Sequence, residues 1–299
     1  MKRFLILLFF MGLAVDSFAL SPQGPDYIIY KNDTIQTYNL LIEEYLQKTK
    51  DDQGRLFNLS FRNSIDGSSG NSFNCWRGYQ AIYEIRNDSL FVNAIIDCHS
   101  LDNENQISKN YIHKIFGSKV HNNSVFVDWY SGNISFPIKS KANKILRWDG
   151  VFERVFLHET MITIEKGNIV DIDNLQNYID LEKGINRIEK GSINSILFNQ
   201  IKKFKWTDSN KIDCGQKYSI VIGKKGKVTD VIMPEYTTEG FIETYWDSKR
   251  EYKYCIKSMK KALSKLQFDI LKRKGKAIEE KFIIEIWFED DGTIKNWTY

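Results

Sequence analysis

Tyr218-Ser-Ile-Val-Ile-Gly-Lys-Lys-Gly-Lys-Val-Thr-Asp-Val-Ile-Met233 places two short β-branched runs on either side of a glycine and lysine turn. That is the pattern of a β-hairpin. Downstream, Tyr252, Ile256, Met259, Leu263 and Leu266 recur at alternating steps of four and three, which sets them on one helix face. Lys253, Lys257, Lys260, Lys261 and Lys265 lie off that stripe, so the helix is amphipathic with a basic outer surface. After Gly275, Lys281-Phe-Ile-Ile-Glu-Ile-Trp-Phe288 has the length and composition of a strand, and Asp290-Asp-Gly292 supplies the turn that bounds it. The order strand, strand, helix, strand predicts a small α+β domain over residues 210–299.

That order and its punctuation resemble the C-terminal domain of the TonB family. Gly226-Lys-Val228 with Asp230-Val231 is similar to the family's hairpin, Leu263 to Phe268 to its helix exit, and Gly275-Lys-Ala-Ile278 to its loop into the last strand. The resemblance covers about residues 215–299. Where the family carries prolines after the exit Phe and after the loop Gly, this chain has Asp269, Ile270 and Ala277. The resemblance implies a protein-interaction module. It does not imply energy transduction, because full-length members carry a membrane anchor and a long Pro-rich spacer, whereas this chain has four prolines, at 22, 25, 137 and 234.

At the other end, Lys2-Arg3 precede an apolar run, Phe4 to Val15, and Ser17-Phe18-Ala19 ends it with small residues where a signal peptidase reads. This predicts a signal peptide over residues 1–19, cleaved after Ala19, and a periplasmic or secreted mature chain. The run is too short to span a bilayer and Asp16 interrupts it, so the mature chain is expected to have no transmembrane segment. The net charge of +4 is uneven: from Ile201 onward 21 Lys and Arg stand against 15 Asp and Glu. A basic face in an exported protein without basic and aromatic nucleic-acid motifs reads as a solvated helix surface, not a nucleic-acid partner.

Four cysteines, Cys75, Cys98, Cys214 and Cys255, in an exported chain favour disulfides over metal or catalysis. Three connectivities are open. Cys75 to Cys98 and Cys214 to Cys255 are favoured, because each pair closes within one expected domain.

The rest of the chain, 20–209, reads as a β-rich N-terminal domain with flanking helices. Tyr27–Tyr30 is expected as a strand, Asn32-Asp-Thr34 as helix caps, and Ile35 to Leu46 as a helix from its spacing. Arg55 to Arg62 reads as a strand and Asn63 to Ser72 as a loop. Gly78–Arg86 and Leu90–Ile96 form the clearest hairpin, turning at Asn87-Asp-Ser89, with Cys75 before it and Cys98 after it. Val125–Tyr130 and Ile134–Phe136 suggest another around Ser131-Gly-Asn133. Short strands continue through Val155–His158, Met161–Ile164 and Ile169–Ile172, an antiparallel grammar that suits a curled sheet or sandwich. Ile193, Ile196, Leu197, Ile201 and Phe204 follow helical spacing and are expected to close the first domain before a boundary at Thr207-Asp-Ser-Asn210. The Cys75-Trp-Arg-Gly-Tyr79 and Asp128-Trp-Tyr-Ser-Gly132 segments resemble those of exported Bacteroidetes proteins.

Catalytic signals are sparse. His158-Glu159, expected at a strand end or exposed turn, is the one carboxylate and imidazole pair suited to general-base chemistry, and it carries the alternative reading of a cell-envelope hydrolase. His99, His113, His121 and His158 lack second ligands at metal spacing, so no metal or cofactor is expected. Trp76 and Trp129 are candidates for an aromatic platform in a carbohydrate-binding reading. The leading expectation is a non-enzymatic module that binds an envelope protein or peptide by strand addition. Phe282, Ile284 and Trp287 are its edge-strand candidates.

Overall fold

The computed structural model describes residues 23–49, 75, 77–98, 110–206, 212–234 and 249–298. The expected leader, the strand at Arg55–Arg62, the loop at Asn63–Ser72, Trp76, His99 and the boundary at 207–210 lie outside those residues. The fold is α+β, strand-rich, with mostly antiparallel pairing. Two compact units divide it: Met1–Ile134, Trp148–Arg154 and Thr163–Val170 form one, and Ser135–Arg147, Val155–Ile162 and Asp171–Tyr299 the other. The chain thus passes between units several times, and residues 171–206, expected in the first domain, group with the C-terminal unit.

β1 (Asp26–Tyr30) and β2 (Asp33–Thr37) form a hairpin, followed by α1 (Leu41–Thr49), β3 (Tyr79–Arg86), β4 (Ser89–Asp97), α2 (Ile112–Phe116), β5 (Val125–Phe126) and β6 (Gly132–Pro137). β7 (Ile145–Trp148) pairs with β8 (Arg154–Phe156), and β9 (His158–Glu165) and β10 (Asn168–Gln176) complete the middle of the chain. The large sheet runs β2-β1-β3-β4-β10-β9-β6, with β5 also on β4. β1 and β3 are parallel, Tyr27 lying beside Ile82, which needs the long crossover that the sequence between them provides.

Turn chemistry explains much of this. Lys31-Asn32, Asn87-Asp88, Asn122-Asn123, Lys166-Gly167 and Lys274-Gly275 each hold two consecutive residues at positive φ. Paired left-handed residues twist a two-residue turn to match flanking strands, and Asn, Asp and Gly reach that region most readily. At Lys31-Asn32 this corrects the expected helix caps. The chain turns back into β2, whose Thr34, Ile35 and Thr37 favour strand, and only Leu41–Thr49 becomes helical. The expected hairpin around Ser131-Gly-Asn133 is also corrected. β5 pairs with β4, Phe91 opposite Phe126, while β6 lies next to β9, because the Asp128-Trp129 turn redirects the chain between them.

The N-terminal unit's core is built on the inward face of β3, where Tyr79, Ala81 and Tyr83 are wholly buried. Beside it Asp26 and Arg77 form an ion pair at 2.8 Å, both side chains buried, and the second Asp26 oxygen accepts the Ala81 N–H at 2.9 Å. Burial pushes the Asp26 carboxyl above its ordinary value even though Arg77 pulls it down. Cys75 and Cys98 are bridged, with Cα atoms 6.3 Å apart, as the two ends of the β3–β4 hairpin predict.

In the C-terminal unit, β11 (Tyr178–Ile179) and α3 (Lys190–Lys203) precede the expected hairpin, β12 (Lys217–Ile222) and β13 (Val228–Ile232). α4 (Lys249–Leu263) follows, then β14 (Ile270–Arg273), β15 (Lys276–Ala277), β16 (Glu280–Phe288) and β17 (Ile294–Asn296). The sheet order is β13-β12-β16-β17, and β11-β14-β15 form a separate small sheet. Two features differ from the sequence reading: Gly275 sits in a β14–β15 hairpin, and the Asp290–Gly292 turn leads into the extra strand β17. Ile193, Leu197 and Ile201 of α3 and Met259 and Leu263 of α4 share one core with Tyr218, Ile220, Phe268, Phe282 and Ile284. Gln200 also donates to the Ala262 carbonyl, so α3 closes this core. Cys214 and Cys255, with Cα atoms 5.4 Å apart, tie the start of β12 to α4.

Candidate functional site

β16 is paired on both sides over only part of its length. β12 accompanies it from Glu280 to Glu285, whereas β17 covers only Ile286 to Phe288. The Ile286 N–H donates to Gln216 on the β12 side, and Glu285 points the other way, accepting the Trp297 N–H at 2.8 Å. Backbone direction alternates along a strand, so Lys281 and Ile283 direct their N–H and C=O groups to the β17 side, as Glu285 does. No described strand meets them there.

The end of β17 is set by side chains. The Thr298 N–H donates to Asn296 Oδ1 at 3.0 Å, an Asx-type turn, and Thr298 Oγ1 accepts the Glu285 N–H at 2.9 Å. A hydroxyl therefore stands where the next ladder carbonyl would be, and pairing stops. A groove of about 480 Å³ lies along the exposed stretch, lined by Lys281, Ile283, Glu285 and Thr298 together with Lys190 and Asn194 of α3. Asn194 Oδ1 is sealed from solvent with no hydrogen-bond partner.

The edge candidates separate by strand alternation. Phe282 and Ile284 are 3 % and 0 % exposed and turn into the core, so they position the edge and do not present themselves at it. Trp287 is 46 % exposed on the opposite face and stacks on Trp297, ring centroids 5.6 Å apart. The useful groups at the edge are the backbones of Lys281 and Ile283, which composition alone does not mark.

His158 and Glu159 are brought together only as chain neighbours. They are the first two residues of β9, the strand end that is one of the two expected settings; successive residues of a strand face opposite ways, and Glu159 is 2 % exposed, so the exposed-turn setting does not hold. Its Oε1 accepts the Phe156 N–H at 2.9 Å and its Oε2 the Asn177 amide at 2.8 Å. Burial raises the carboxyl above its ordinary value, and those two donors and Lys274 only partly counter it. Each oxygen is engaged, one by the Phe156 backbone and the other by the Asn177 side chain, and the carboxyl is turned into the protein. Trp129 is likewise employed in packing: its indole N–H donates to Leu41 O at 2.9 Å, and its ring lies 4.7 Å from Tyr45 and 5.5 Å from Phe116.

The groups that sequence reasoning missed are buried charges. Glu280, at the head of β16, pairs with Arg147 and with Arg187, the latter at 2.5 Å and 0 % exposed. Arg187 reaches the Asp269 carbonyl at 3.2 Å, while Tyr178 donates to Asp269 Oδ2 at 2.6 Å. Burial pushes the Glu280 carboxyl up, but the Arg147 hydrogen bond and charge, joined by Arg187, outweigh it and hold the group below its ordinary value. Single arginines outside any periodic pattern gave no sign of this in the sequence. Among the described residues no three His, Cys, Asp or Glu side chains converge as metal ligands.

No family model, curated protein or solved structure matches the chain.

Proposed function

We propose that the protein is an exported interaction module that binds an extended peptide segment as an added strand on the Lys281–Ile283 edge of β16. The observation that carries this reading is the interrupted ladder, in which Thr298 ends β17 while β16 continues with outward backbone groups. Strand addition draws affinity from main-chain hydrogen bonds and specificity from alternate side chains. The groove supplies the second part: Lys190 and Lys281 favour an acidic side chain on the partner. The order of β12, β13, α4 and β16 supports a TonB-like reading of this part of the chain, and the two disulfides are consistent with an oxidising compartment. No described helix is long and apolar enough to cross a membrane.

Ile283→Pro tests the edge directly. Proline removes the outward N–H without touching the β12 ladder, where Phe282 and Ile284 do the pairing. In an array of extended acidic peptides, wild-type protein is expected to retain a subset that Ile283→Pro loses, with both proteins melting cooperatively. Equal retention by the two proteins, or no retention by the wild type, defeats the reading.

A further inference from the structure

Arg154, at the first position of β8, is held between two aromatic rings. Its guanidinium carbon lies 4.3 Å from the centroid of Tyr38 and 5.1 Å from that of Trp148, the last residue of β7. Trp148 is 47 % exposed. The β7–β8 turn is fixed by Asp149, whose Oδ1 accepts the Val151 and Phe152 N–H groups at 2.8 Å each, and by the Gln23 N–H, which donates to Val151 O. This turn is therefore braced, and it presents Trp148 and Arg154 from set positions, with Tyr38, just after β2, on the other side of the guanidinium.

What the arrangement lacks is an anion. Nη1 of Arg154 is sealed from solvent without an acceptor, and among the described residues no carboxylate forms an ion pair with the guanidinium; Asp149 is committed to its turn. Ring faces attract a cation but do not accept its in-plane N–H bonds. A half-buried guanidinium with no counter-charge is costly, and since Nη1 is sealed, it is the Nε and Nη2 edge that a planar carboxylate would meet bidentately to relieve that cost. One guanidinium matches one negative charge, which suits a carboxylate better than a phosphate dianion. Trp148 adds an exposed ring face alongside, suited to the C–H face of a pyranose.

We propose that Tyr38, Trp148 and Arg154 form a site for a carboxylated saccharide, the guanidinium taking the carboxylate and the Trp148 ring the sugar face. This site is separate from the β16 edge and stands whether or not a peptide binds there.

The test is calorimetric titration of the mature chain with trigalacturonate and with its neutral methyl ester. The acid is expected to bind about tenfold or more tightly than the ester, the worth of one charge-assisted hydrogen-bonding pair. Arg154→Gln should abolish the preference, and Trp148→Leu, at an exposed position, should weaken both ligands together. Equal binding of acid and ester, no binding of either, or a preference that survives Arg154→Gln overturns the proposal. If Arg154→Gln does not fold, Trp148→Leu decides, and unchanged affinity there overturns it. Displacement of the trimer by equimolar inorganic sulfate overturns the saccharide assignment, since a site for any anion would show it.

Discussion

Glu280 shows how a single carboxylate holds the base of the candidate edge. It balances two arginines in a place where Arg187 has no exposed surface, so its removal leaves buried positive charge without a partner. Glu280→Gln is expected to destabilise the fold by about 3–5 kcal/mol at neutral pH, the usual cost of breaking a buried pair from one side. The sign with pH follows from the lowered carboxyl: the stability it contributes is fully present above the unfolded-state value and is lost as pH falls through the folded one. The gap between wild type and Glu280→Gln should therefore narrow in acid, as wild-type Glu280 takes up its proton. Thermal melts of both proteins from neutral pH down to about pH 3 check it, since a free Glu titrates near 4.3. A gap that stays constant over that range contradicts the role.

At the level of elements, the hairpin turn at Gly226 is where local sequence and long-range packing meet. Its φ is +72°, and the Phe268 N–H donates to its carbonyl at 2.8 Å, joining the β12–β13 turn to the exit from α4. A Cβ on Gly226 would lie 1.9 Å from the Phe268 carbonyl oxygen, a backbone atom that cannot swing aside. Gly292, at φ +80°, has nothing within 4 Å of the same position. Gly292→Ala should then cost about 1 kcal/mol, backbone strain alone, and Gly226→Ala about 3 kcal/mol, since the clash adds to the strain. Urea unfolding of the two variants gives the comparison, and equal losses would show that the seam to Phe268 is unimportant. The glycine and the strand on each side of it were legible in the sequence, as was the face of α4 that Met259 and Leu263 bury. What β16 meets was not: Asn296 and Thr298 end β17 through side-chain bonds that no hydrophobic period records. Asp33–Thr37 misled for the opposite reason. Its Ile35 extends the helical spacing of α1 backwards, and only the left-handed pair at Lys31-Asn32 breaks it.

For the whole molecule, the two cysteine pairs and the strand grammar of the N-terminal half were readable because each is local, closing over 23 and 41 residues. The division of the chain was not, because it depends on which core a helix enters. The spacing of Ile193, Leu197 and Ile201 announces a helix but not its destination, and a polar segment at 207–210 looks like a linker on either side of that choice. All three side chains are 0 % exposed in the core shared with β12, β16 and α4. Deleting such a side chain costs about 2–5 kcal/mol, so losing three costs about 6–15 kcal/mol, as much as the whole stability of an ordinary domain. A fragment of residues 210–299, the domain that the sequence outlines, is therefore expected to lack a cooperative transition, even with Cys214 and Cys255 bridged. A fragment of residues 135–299 keeps α3, the Arg147 and Arg187 partners of Glu280, and the β11–β14 pairing, and is expected to unfold cooperatively. Circular dichroism melts of the two oxidised fragments decide the matter. Cooperative unfolding of 210–299 would show that α3 only leans on this core, whereas its absence beside a folded 135–299 makes the helix part of the folding unit that carries the β16 edge.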